Sequence, residues 1–143
     1  MKIIVDANIV FSGILNTNGK IANLLINSKK QFDFIAPHFL RTEISKHYLR
    51  LSKISKLSLM QIHEAEFQIC KSINFISEEQ INPSFWLSAE KLVADIDPKD
   101  VHYVAFSKCF RCVIWSGDKE LIAGLAKKGF YNFITTDELY NLR

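Results

Sequence analysis

Four short stretches of this chain each set a carboxylate where it could meet the others. Asp6 ends the apolar run Ile3-Ile4-Val5, and Asp118 follows a second run, Val113-Ile114-Trp115, after the turn Ser116-Gly117. Between them come Glu43, inside an amphipathic stretch, and Asp97-Pro98-Lys99-Asp100, which opens another. Crowded carboxylates repel, so a chain that converges several of them needs a divalent cation to neutralise the site. A cation held this way turns water into a nucleophile and steadies a departing oxygen, the chemistry of phosphodiester hydrolysis. Each acid also has a plainer use. Asp6, Asp97 and Asp118 can cap helices, Asp100 suits the dipole of a first helical turn, and Glu43 can pair with Lys46 or His47 on the next turn.

The elements that must position these acids alternate strand and helix, the pattern of an α/β fold with a mainly parallel sheet. Lys2 to Asp6 is a short apolar strand. Ile21, Leu24 and Leu25 have helical spacing up to Ser28, and Phe32 to Ala36 reads as a strand stopped by Pro37. Leu40, Ile44, Tyr48 and Leu51 predict one helix from His38 to about Leu51. On its wheel Glu43 lies about 60° from Leu40, at the border of the buried stripe. A helix capped by Ser58 follows, to about Ile73, and Asn74 to Ser77 is a weaker strand. Asn82-Pro83 and Asp97-Pro98 each open a helix with a cap and a proline, ending near Ala94 and Phe110. Cys112 to Trp115 is a clear strand, Lys119 to Lys128 a helix stopped by Gly129, and Asn132 to Thr135 the last strand before a short helical tail. In such sheets ligands gather outside the carboxyl ends of strands, where strand order reverses. Asp6 and Asp118 sit at strand carboxyl ends, so topology predicts their convergence.

The 143 residues fit one domain, 1–143, without repeat or linker, and 48% hydrophobic with 23% charged residues excludes a disordered chain. No apolar run approaches the ~20 residues of a membrane span, and no secretory leader precedes Asp6. Three cysteines, Cys70, Cys109 and Cys112, are an odd set that suits a reducing compartment, so a cytoplasmic protein is expected. Cys109-Phe110-Arg111-Cys112 lacks the second ligand pair of a zinc site, and the four histidines have no ligand spacing. With the five acids set aside, 10 Asp and Glu remain against 18 Lys and Arg, a surface that attracts a polyanion. Lys46, Arg50 and Lys53, flanking Glu43 on the expected helix, are placed to hold a phosphate backbone; their plainer reading is a solvated helix face. Asn8 can add an amide oxygen or position a water, and Ser116 can bond a phosphate or orient a carboxylate.

VDANIV at 5–10, the lone helical Glu43, DPKDVHYVAFS at 97–107 and IWSGDKEL at 114–121 together resemble the PIN-domain family, in particular its bacterial branch of toxins from toxin–antitoxin pairs. Their order and approximate spacing match across the whole chain. The resemblance implies a three-layer α/β/α sandwich and an endoribonuclease that depends on Mg2+ or Mn2+. It implies catalytic and metal-binding roles for Asp6, Glu43, Asp100 and Asp118, with Asp97 as a neighbouring acid. The partners it implies are RNA, a cognate antitoxin protein and a second copy of the chain. Ser116 stands where many relatives carry Thr, and the stretch from Ser52 to Asn82 resembles nothing specific. A non-toxin RNA-processing nuclease, or an inactive module of the same fold that binds nucleic acid or protein, are the alternatives. A phosphoacceptor domain would want an acid beside Asp6, and an aspartyl phosphatase would want one in place of Asn8.

Overall fold

The computed structural model describes residues 1–143. Its centre is a five-stranded sheet, wholly parallel, made of β1 (Lys2–Val5), β2 (Asp33–Pro37), β3 (Ile73–Ile76), β4 (Val113–Trp115) and β5 (Phe133–Ile134) in the order β3-β2-β1-β4-β5. The strands are apolar because both faces are covered, as a parallel sheet requires. Ile3, Val5, Phe34, Ala36 and Trp115 point to one layer of helices. That layer holds α1 (Ala7–Leu15), α2 (Lys20–Asn27), α3 (Phe39–Lys46), α4 (Tyr48–Ser55), α5 (Leu59–Cys70) and α9 (Thr136–Leu142). Ile4, Ile35 and Ile114 point the other way, onto α6 (Pro83–Val93), α7 (Val101–Phe110) and α8 (Lys119–Ala126). The result is the three-layer α/β/α sandwich. No helix is long and apolar enough to cross a membrane.

Local chemistry explains most boundaries. Ser58 and Gln61 form a reciprocal capping box on α5, and Asn82 accepts from the Ser84 N–H at the start of α6. Gly129 has φ +85, the left-handed geometry that ends the turn after α8. Gly117 does not need such freedom, because its φ is not positive, and a Cβ there would meet open space.

The expected single helix from His38 to Leu51 is two. The backbone of His47 leaves helical geometry at φ −107, ψ 10, and its N–H turns back to Ile44 and Ser45. Beyond it α4 swings away to pack on α1 and α5, with the Tyr48 hydroxyl donating to Glu66 on α5, while α3 stays against β2. Tertiary packing overrides a continuous apolar stripe here. Asp97-Pro98 likewise opens a short 3-10 turn, Pro98–Asp100, before α7 proper begins. The apolar stretch after Asp6 is the helix α1, where sequence reasoning reached only the cap.

Candidate active site

Strand order reverses between β1 and β4, since β2 and β3 lie to one side of β1 and β4 and β5 to the other. The crevice at their carboxyl ends is where the acids gather. The Asp6 N–H donates to the Trp115 carbonyl at 3.4 Å, stitching the two strand ends together. Asp6 lies at the start of α1 and is buried. Its Oδ1 accepts from the Ile9 N–H at 3.0 Å, so the capping reading holds for it, and the same carboxylate lines the cavity described next. Asp118 does the same for α8 through the Leu121 N–H at 3.1 Å, and Asp97 accepts from the Lys99 N–H at 3.1 Å. Ser116, wholly buried, lies between the two anchors: its hydroxyl accepts from the Asp118 N–H at 3.1 Å and is near enough to Asp6 to favour the ionised carboxylate.

Asp6, Asn8, Glu43, Asp97 and Asp100 line one cavity of about 160 Å³, together with Ala7, Phe11, His47, Lys99 and Tyr103. Asp118 is not on that lining, yet its charge reaches both Asp6 and Asp100. Burial pushes the Asp6 carboxyl up to about 6, against the Ser116 and Ile9 hydrogen bonds that favour its ionised form and with the Asp118 charge. Asp100 is pushed to about 7, by burial first and then by the charges of Asp97, Asp6, Asp118 and Glu43. The Asp100 carboxylate accepts no hydrogen bond that would offset this, although its N–H donates to the Asp97 carbonyl at 3.1 Å. Glu43 is buried, not exposed, and its Oε2 stands 3.7 Å from His47 Nε2 on the next turn. The pairing with His47 is therefore present, but on a buried carboxylate rather than on a solvated helix face.

The basic row does not stay together. The break at His47 parts Lys46 on α3 from Arg50 and Lys53 on α4. Arg50 lines an adjoining groove of about 340 Å³ that shares Asn8, Phe11 and His47 with the acidic cavity; Lys46 and Lys53 line neither. Sequence reasoning gave no role to Lys99 or Tyr103, and gave His47 only that of a partner for Glu43. Tyr103 is 4% exposed, and its hydroxyl has no partner in hydrogen-bonding geometry, although the Ala7 N–H lies near enough to favour its ionised form. Burial and the charges of Asp6, Glu43 and Asp100 outweigh that and raise its ionisation well above the ordinary phenol value. Its position one helical turn beyond Asp100 was a usable signal.

In donor type the cavity fits a hard divalent cation, since it offers carboxylate oxygens and an excess of negative charge. In spacing it is open: no group of three His, Cys, Asp or Glu side chains is close enough to hold an ion. The thiols stay apart from it. Cys112 is buried and pushed up to about 11, Cys109 is half-buried, and both are free.

Fold and site together define an α/β protein with an acidic crevice at its topological switch point. The chain belongs to the PIN-domain family, whose model matches residues 4–139. Among solved structures it is similar to VapBC2 from Rickettsia felis bound to a DNA fragment from their promoter. The identity is 13% and the TM-score 0.68, over 94% of this chain and 97% of that one. It is similar as well to PAE2754 from Pyrobaculum aerophilum, at 12% identity and TM-score 0.71, over 99% of this chain and 95% of that one. No curated protein matches it in sequence.

Proposed function

We propose that this chain is a divalent-metal-dependent endoribonuclease that hydrolyses RNA phosphodiester bonds and serves as the toxin of a toxin–antitoxin pair. One observation carries the hydrolytic part: acids from four separate stretches act on Asp100 together, at the switch point of the sheet. The toxin part is supported by the motif resemblance and by the fold shared with VapBC2.

Asp6, Asp100 and Asp118 would hold Mg2+ or Mn2+, with Glu43 and Asp97 at the edges. A divalent ion there supplies a nucleophile at neutral pH and a counter-charge for the departing oxygen. Ser116 holds the Asp118 backbone through its N–H and lies beside the Asp6 carboxylate. The α1 and α8 caps each engage Oδ1 and leave Oδ2 of both aspartates outside the cap hydrogen bond. Lys99 and Arg50 are the cations placed to meet phosphates at the cavity and its adjoining groove. Asn8, on both linings, offers an amide to substrate or water.

The open spacing of the acids favours a second reading, an inactive module of the same fold that binds nucleic acid or protein. RNA incubated with the pure protein in Mn2+, in EDTA, and with Asp118→Asn separates the two. Cleavage only by the parent in Mn2+ is expected; cleavage that survives EDTA or the substitution overturns the nuclease reading. An antitoxin is sought by co-purification with the product of the adjacent reading frame, and failure of any neighbour to block toxicity overturns the toxin role.

A further inference from the structure

The opposite end of the sheet, where the strands begin, carries the reverse charge. Two grooves open there. One, of about 740 Å³, is lined by Lys108 and Arg111 at the end of α7, with Cys112 and Val113 at the start of β4. The other, of about 550 Å³, is lined by Lys29, Lys30 and Lys71 around the starts of β2 and β3. Lys2 opens β1, the strand between them, and Asp33 is the one carboxylate on either lining. None of these six cations is in a salt bridge, whereas Lys20 and Lys128 pair with Asp137 and Asp95.

The plain account is that Lys71 and Arg111 sit just past the C-termini of α5 and α7, where a cation offsets the helix dipole. That account needs one cation per helix end. It does not explain Lys29 and Lys30 side by side past α2, Lys108 beside Arg111, or the single carboxylate on the two groove linings. Five strands about 4.8 Å apart make this edge roughly 19 Å wide. Phosphates on a nucleic-acid strand recur about every 3.4 Å of helix axis, so several would lie along it. A membrane surface fits less well, because the largest group of exposed apolar side chains, Leu49, Ile54, Leu59, Met60 and Phe67, is on α4 and α5.

We infer that the strand-amino end is a second docking surface for the phosphate backbone of a folded RNA, separate from the acidic crevice. Lys2 and Asp6 are about 13 Å apart along β1, on opposite ends of the sheet. A few nucleotides seated in the crevice do not reach the basic edge; a folded RNA that wraps the molecule does. The choice of RNA rests on the nuclease reading, but binding at the basic edge does not require cleavage.

The test uses the full chain in EDTA, a base-paired hairpin RNA, and the variant Lys30→Glu, Lys71→Glu, Arg111→Glu. A Gln version of the same three positions keeps the comparison usable if the reversed charges unsettle the helix ends. Binding of the hairpin should weaken by at least about tenfold, and the slope of log affinity against log salt should fall by about 0.9 for each phosphate no longer neutralised. Cleavage of a six-nucleotide single strand in Mn2+ should stay at the parental rate. Unchanged hairpin binding by both variants overturns the inference. So does a parent that binds vesicles of phosphatidylglycerol and phosphatidylcholine but not the hairpin. A parent that binds the hairpin through these residues yet cleaves nothing sinks the nuclease reading alone.

Discussion

Replacing Asp6 by Asn should strengthen the metal-free fold while ending cleavage. Asn keeps an oxygen to accept from the Ile9 N–H, 3.0 Å away, so the cap on α1 survives and only the charge is removed. Burial holds the Asp6 carboxyl at about 6 against an ordinary 3.8. At about 1.4 kcal/mol per pH unit, ionised Asp6 therefore weakens the native state by roughly 3 kcal/mol. Because the native state binds this proton more tightly than the unfolded chain does, the stabilisation is complete below pH 3.8 and lost as pH rises through about 6. In EDTA at pH 8, Asp6→Asn should melt roughly 5–10 °C above the parent, and the gap should close near pH 4. Saturating Mn2+ should raise the parent's melting temperature and leave the variant's nearly unchanged. Differential scanning fluorimetry across pH, with and without Mn2+, reads all three. A variant no more stable than its parent at pH 8, or one that cleaves RNA at the parental rate, refutes the reasoning.

Ser116→Ala removes the hydroxyl that lowers the Asp6 ionisation, so the acid limb of the pH–rate profile should move to higher pH. It should also cost about 1 kcal/mol in chemical denaturation for the lost hydrogen bond from the Asp118 N–H. Glu78→Ala leaves the His38 and Phe39 N–H groups at the start of α3, now bonded at 3.2 and 2.9 Å, without their acceptor. A loss of about 1–2 kcal/mol is expected, measured by urea denaturation, and a change near zero would show that water replaces the carboxylate. Tyr103→Phe deletes a buried hydroxyl with no partner and should raise the metal-free midpoint by about 1 kcal/mol. A lowered midpoint would reveal a partner for that hydroxyl.

The sheet was legible because its strands are short apolar runs with sharp ends, and the caps because Ser58, Asn82, Asp97 and Asp118 stand beside prolines or apolar periodicity. Both signals are local. The split at His47 was not legible, since Leu40, Ile44, Tyr48 and Leu51 keep helical spacing straight through it, and only the packing of α4 on α1 and α5 parts them. The scattering of Lys46, Arg50 and Lys53 follows from that one miss. Glu43 could be placed at the border of a stripe, but the cavity it shares with residues of α1 and α7 is set by tertiary packing, which no wheel contains. Tyr103 was hidden for another reason: on an apolar helix a tyrosine reads as core, and it is core, apart from an oxygen that faces the acids.

Capping and convergence, which compete as readings of each aspartate, are one arrangement in space. In a parallel sheet with crossover helices, strand carboxyl ends and helix N-termini meet at the same edge. An aspartate that ends a strand can therefore cap the next helix and still face its counterparts from the neighbouring strand, as Asp6 and Asp118 do. The helix N-termini bring partial positive charge to that edge, which helps several acids to share it. It does not suffice, since Asp6 and Asp100 are still driven to about 6 and 7. Helix C-termini crowd the other edge and favour the cations found there. The two ends of the molecule thus carry opposite charge, which is why the proposals above put a cation among the acids and a phosphate backbone along the lysines.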